Sequence, residues 1–306
     1  MTMGKILSKI CTPNGEEITL DDATQVKSSR EFHVHTDDTV TYWLPKDDEE
    51  LNRVMGQHFA IKDLYEGNIL KSVEKSLDFE KGIAILDLGC GPGSWILDMI
   101  TDYPNCTYEG CDIVDSTNKN ITPKQFNWKY GNFLERIDYP DNTFDFIHMR
   151  LLLLSVREVD WPIVLKEALR VLKPGGFIQW KEFDLKMTGD GNEAIEKFMN
   201  GIHFAMRSRG QDPRIALQSE RLLTETNAVK IIEKDYRSID MTSNTNAAKK
   251  FLWDWKETCK SMLPVLGPAI GIEDKVSQEA FLKDIMDGLV TCESYTYMNA
   301  VAAQKL

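Results

Sequence analysis

Three glycines at alternate positions, Gly89, Gly91 and Gly93, follow an acid, Asp87, near the end of a short apolar run, Ile83 to Leu88. Glycine accepts a positive φ and lets a ligand approach the backbone, so this spacing describes a tight strand-to-helix turn beneath a small molecule. Ser94 to Ile100 begins a helix whose first N–H groups face whatever rests on that turn. The spacing differs from the Gly-x-Gly-x-x-Gly of dinucleotide-binding turns. Asp87 would repel a pyrophosphate but attract a cation or an ammonium group. A second acid, Asp112, ends the next strand, at the edge where open α/β sheets receive ligands.

The elements that position these residues follow from the pattern. The β-rich runs at 83–88, 107–112, 126–130, 143–149 and 177–183 alternate with helical segments at 94–103 and 158–171. Short turns join them, among them Pro-Asp-Asn at 140–142, and Lys-Pro-Gly-Gly at 173–176 ends the second of these helices. Such alternation predicts a doubly wound α/β sheet. Further on, a helix is expected over 192–209, a sixth strand over 229–239, helices at 251–263 and 276–289, and a last strand over 295–303. The two late helices form a helical insert near 245–290. Before the sheet, residues 1–36 read as a polar, weakly patterned arm. After it, Asp47 and Glu50 form a capping pair ahead of an amphipathic helix, or two, running to about Leu77. The expected organisation is an arm and helical cap over 1–80 and a sheet domain over 81–306.

Composition narrows the class. A chain of 306 residues with 42% hydrophobic content builds a sizeable core. Its formal charge of −12 disfavours nucleic acid and anionic membrane as partners. The six cysteines form no Cys-x-x-Cys pair and no His cluster accompanies them, so no metal site is expected and reduced thiols fit an intracellular protein. With no apolar run of membrane-spanning length, the expected location is the cytoplasm or nucleus.

Asp-Leu-Gly-Cys-Gly-Pro-Gly, then Asp112, Gly-Asn-Phe at 131–133, Phe-Asp-Phe-Ile-His at 144–148 and Leu-Lys-Pro-Gly-Gly at 172–176 stand in the order of class I S-adenosylmethionine (SAM)-dependent methyltransferases. The resemblance covers about Ile83 to Phe183. Tyr-x-Leu-Pro at 42–45, the acidic helix start and Gln57-His58 are similar to the fungal LaeA-like branch. The resemblance implies a Rossmann-like, seven-stranded sheet with the last strand antiparallel, and SAM as cofactor. It places Asp112 and Ile113 at the ribose, and Gly89, Cys90 and Gly91 along the methionine and ribose. Asp87 falls at the amino group or is simply a capping acid. Asn132 stands where the family usually has an acid for the adenine amino group, and Phe133 is an adenine edge or plain core. Tyr42, Gln57 and His58 on the cap would close over SAM, with Arg150 alongside or pairing with an acid. His148 is a candidate base beside the sulfonium or a packed strand-end histidine. Trp180 and Glu182 share a face on their strand, and Glu182 is the acceptor-side candidate. His203, Arg207, Trp253, Trp255 and Met262 belong to the acceptor end or to solvated and core faces.

Two functions compete on these residues: methylation of a small-molecule, secondary-metabolite-like acceptor, and a LaeA-like regulator that keeps a SAM-binding core and works through partner proteins. An NAD-dependent oxidoreductase shares the fold but not the glycine spacing.

Overall fold

In the computed structural model, residues 9–11, 17–19, 30–32, 41–117, 123–187 and 192–306 are described. A seven-stranded sheet grows outward from β3 (Ala84–Leu88), whose Ile85, Leu86 and Leu88 are wholly buried, as a strand covered on both faces requires. On one side lie β4 (Thr107–Asp112) and β5 (Phe126–Tyr130); on the other lie β6 (Phe144–Arg150), β7 (Leu172–Asp184), β9 (Tyr295–Lys305) and the edge strand β8 (Val229–Asp240). Strand β9 runs antiparallel to both its neighbours, and the remaining pairings are parallel. The fold is therefore Rossmann-like α/β. Because β4 and β6 flank β3, the strand order reverses beside it, and the carboxyl ends of β3 and β6 bound the crevice where such sheets take ligands. In the arm, β1 (Lys9–Cys11) and β2 (Glu17–Thr19) form an antiparallel pair; the rest of the expected 1–36 arm lies largely outside the described residues.

The cap is two helices, α1 (Asp48–Tyr65) and α2 (Lys71–Ser76). Asp47 caps α1 by accepting from the Glu50 amide, and the break between the helices begins at Glu66, in the left-handed region with φ 55°. Helix α3 (Ser94–Asp102) follows the glycine turn. After β6, α4 (Trp161–Val171) leads into β7. Helix α4 stops at Val171, as expected, but β7 begins at Leu172 and not at Phe177: the pairing with β6 shifts between Phe144 and Phe146, and this irregularity absorbs Pro174 and Gly175. Next come α5 (Glu193–Ser208), a short α6 (Ser219–Glu225) that the sequence pattern did not predict, and the expected insert as α7 (Asn246–Leu266) and α8 (Lys275–Thr291).

Helix α1 packs on α7 and touches α3 and β8. Its Ala60, Ile61, Leu64 and Tyr65 share a buried cluster with Ile85, Trp95 and Phe146 of the sheet layer. Cap and sheet thus share a core, which makes point substitutions better probes of the cap than truncation. Among the described residues, no helix is long and apolar enough to cross a membrane.

Candidate functional site

A cavity of about 250 Å³ opens at the carboxyl ends of β3, β4 and β6, roofed by α1 and α7. Its floor is the glycine turn. The Gly89 amide donates to the Cys111 carbonyl at 2.8 Å, and the Gly91 amide to Asp112 Oδ2 at 2.8 Å. All three glycines have positive φ, but for different neighbours. A Cβ on Gly89 would meet Leu152 at 2.4 Å and one on Gly93 the Phe126 ring at 2.7 Å, whereas one on Gly91 would meet no protein atom within 4 Å. Gly91 is the position where added bulk enters the cavity alone. Gly91→Val is therefore expected to leave a folded protein, with about 1–2 kcal/mol of left-handed strain, while abolishing detectable binding of a ligand on the turn. Calorimetry with a folded variant checks this; unchanged affinity would contradict the placement.

Asp112 Oδ1 accepts from the Val114 amide at 3.1 Å, so each carboxylate oxygen already holds one backbone donor and keeps further acceptor capacity. Burial pushes its pKa up, against the lowering pull of the Gly91, Val114 and Ile113 amides. Ile113 and Cys90 line the cavity beside it. Asn132 also lines it, but its Oδ1 accepts from the Leu134 amide at 3.0 Å, which fixes the turn and leaves that oxygen's second lone pair for a ligand. Phe133 is both a wall residue and a member of the main buried cluster.

On the β6 side, His148 Nδ1 lies 2.7 Å from Asp87 Oδ1, and its ring stacks on Trp95 at 3.9 Å between centroids. Burial drives both groups of this pair toward neutrality: the Asp87 carboxyl rises to about 7, opposed by Arg150, and the imidazole falls well below its usual range. Nε2 of His148 is buried without a hydrogen-bond partner. Arg150 also lines the cavity.

Two expected site residues lie off the wall. His58 is 1% exposed between Asp98 and Arg150, with Nε2 at 3.0 Å from Asp98 Oδ2 and Nδ1 at 3.2 Å from Arg150 Nη2, so it supports the wall from behind. Glu182, also 1% exposed, lies off the cavity wall, turned into the protein. It accepts from the Leu152 and Leu153 amides and from Trp180 Nε1. Those amides follow Leu151, which is held at φ 58°, so Glu182 fixes the turn that shapes the cavity beside β6. At the far end, His203 donates to the Leu185 carbonyl and Arg207 is exposed. Trp253 packs over Gly56 of α1, while Trp255 and Met262 reach the cavity.

The roof carries a network that sequence reasoning missed. Arg53 donates to Glu50 at 2.6 Å and to Asp254 at 3.2 Å; Gln57 donates to Asp254 at 3.0 Å; and Ser261 donates to Glu50 at 2.6 Å. Glu50, Arg53, Gln57, Asp254 and Ser261 are all buried, and Glu50, Arg53, Gln57 and Asp254 line the cavity with Tyr42. The available signal was polar side chains interrupting the apolar stripe of α1 and an acid set between two tryptophans. Beyond this network the far walls are apolar: Leu154, Phe183, Leu185, Ile202, Trp255 and Met262. The arrangement suits a polar ligand on the turn and a less polar one under the roof.

A family model described as a methyltransferase domain matches residues 61–222, more than half of the chain. The secondary metabolism regulator laeA of Coprinopsis cinerea is 30% identical over 168 residues, 53% of this chain and 40% of that protein's length. The methyltransferase grgD of a Penicillium species is 24% identical over 237 residues, covering 69% of this chain and 82% of that one. Among solved structures, a Haemonchus contortus phosphoethanolamine N-methyltransferase in complex with S-adenosyl-L-methionine overlays with a TM-score of 0.49 at 14% identity, over 81% of this chain and 56% of that one.

Proposed function

The chain belongs to the methyltransferase-domain family, and from that premise we propose that it transfers the methyl group of SAM to a small organic acceptor held beneath the cap. SAM is the cofactor, and the residues present suit it. The observation that carries the reading is the pairing of the Asp112 carboxylate with the bare Gly91 backbone on one cavity wall, at the point where the strand order reverses. Asp112 holds the ribose hydroxyls. Gly89 and Gly91 admit the chain between ribose and methionine, with Cys90 and Ile113 packed alongside. Asn132 and Phe133 border the adenine. Arg150 supplies a cation for the amino-acid end, and Asp87 a carboxyl that the ligand's ammonium group holds ionised.

When bound, SAM supplies an activated methyl on a sulfonium, so the protein's task is to position, to exclude water and, for some acceptors, to take a proton. Tyr42 and Gln57 close the roof over the reacting end. His148, its Nδ1 fixed by Asp87 and its Nε2 unpartnered, is the residue we assign to proton removal from an acceptor hydroxyl. The apolar far walls favour a small acceptor of low polarity, of the kind made in secondary metabolism. The alternative, a regulator acting through protein partners, draws on the likeness to the laeA protein. Methyl-labelled SAM offered with a panel of apolar hydroxylated and aminated compounds, in parallel with partner capture from cells, separates the two. Label on a small compound supports the enzyme reading; label or capture confined to protein supports the other.

A further inference from the structure

Three cationic side chains line the cavity, and they differ in what neutralises them. Arg53 is engaged by Glu50 and Asp254, and Lys46 stands exposed at the rim. Arg150 is recessed in the wall, and among the described residues it makes one hydrogen bond, to His58 Nδ1, and no ion pair. Since His58 Nδ1 accepts from a guanidinium, its Nε2 carries the proton and donates to Asp98 Oδ2. Burial and the neighbouring guanidinium lower the His58 pKa to about 3, which keeps the imidazole neutral. Asp98 also accepts from Lys62 at 2.7 Å and Asn68 at 2.6 Å. Burial pushes its pKa up, but these donors and His58 outweigh it and hold the carboxyl below its usual range.

A single line, Asp98 to His58 to Arg150, thus joins the helix after the glycine turn, the cap and the end of β6. An arginine oriented by a neutral imidazole keeps its full charge and its remaining N–H donors; one oriented by a carboxylate would already be compensated. The anion it faces is defined by its neighbour. Asp87 lies on the adjoining strand in register with His148, two residues before Arg150. One acid and one base side by side fit a zwitterion.

We propose that Asp98 and His58 are positioning residues that aim the Arg150 guanidinium at the α-carboxylate of the cofactor, so that the cap takes part in recognising the amino-acid end. This rests on the cavity being the SAM site.

The test compares two ligands by calorimetry: S-adenosylhomocysteine and 5′-methylthioadenosine, which keeps adenosine and a thioether but lacks the amino-acid end. His58→Leu and the isosteric Asp98→Asn should each lower S-adenosylhomocysteine affinity about tenfold or more while leaving methylthioadenosine affinity unchanged. Arg150→Met should bring the two ligands close to equal. His58→Gln, which offers an acceptor and a donor, should restore part of the loss. Equal losses for both ligands, or no loss for S-adenosylhomocysteine in folded Asp98→Asn and His58→Gln proteins, would overturn the proposal. If the wild-type protein bound neither ligand, the site assignment would fall and the proposal with it.

Discussion

Asp112→Ala should weaken S-adenosylhomocysteine binding about a hundredfold or more. A charged hydrogen bond contributes about 1.5–3 kcal/mol, and the carboxylate is assigned two ribose hydroxyls. The structure adds a second cost: the same oxygens hold the Gly91 and Val114 amides, so the alanine also loosens the turn on which the ligand lies. Asp112→Asn separates the two contributions, because the amide keeps one acceptor oxygen and loses the charge. It should fall between wild type and alanine. Calorimetry on folded variants is the measurement, and an unchanged affinity for the alanine protein would remove Asp112 from the site.

Arg53→Met should cost about 3–5 kcal/mol of stability, because it leaves Asp254 a buried acid without its cation and Glu50 with only the more distant Arg30 guanidinium, at 3.8 Å. For a protein of this size that corresponds to a melting point lower by about 5–8 °C. The deficit should depend on pH in a defined direction. Burial already raises the Asp254 pKa, and Arg53 is the first group opposing it, so the substitution raises it further. An acid whose folded pKa lies above its unfolded value penalises the fold above the folded pKa, and the penalty disappears below the unfolded one, near 4. The gap between variant and wild type should therefore narrow as pH falls from neutrality toward that value. A variant melting within a degree or two of wild type at neutral pH would show that the network contributes little.

The turn and the sheet were legible because their determinants are local. Asp87 and the alternate glycines are adjacent in the chain, and Asp112 ends the next strand, which follows the single helix α3 and pairs parallel with β3. What was not legible depends on partners far apart in sequence. Arg53 and Gln57 lie one helical turn apart, as do His58 and Lys62, and that spacing was visible. That the first pair grips Asp254 on α7 and the second grips Asp98 on α3 was not, since it requires knowing which helices flank α1. The same limit applied to Glu182. Its position near the end of β7 was right for an acceptor contact, but the left-handed residue at Leu151 exposes two amides that the carboxylate satisfies instead. Pro174 and Gly175 read as a break because their composition is that of a turn; a strand can absorb them at an irregular start, as β7 does.

We assign the cavity over the glycine turn to SAM and not to a dinucleotide. Thermal melting of the wild-type protein with S-adenosylhomocysteine and, separately, with NAD tests it most directly. At a ligand concentration one hundred times the dissociation constant, binding to the folded state adds about 2.7 kcal/mol. The melting point should then rise by about 4 °C with S-adenosylhomocysteine and stay unchanged with NAD. A rise with NAD and none with S-adenosylhomocysteine would overturn that assignment.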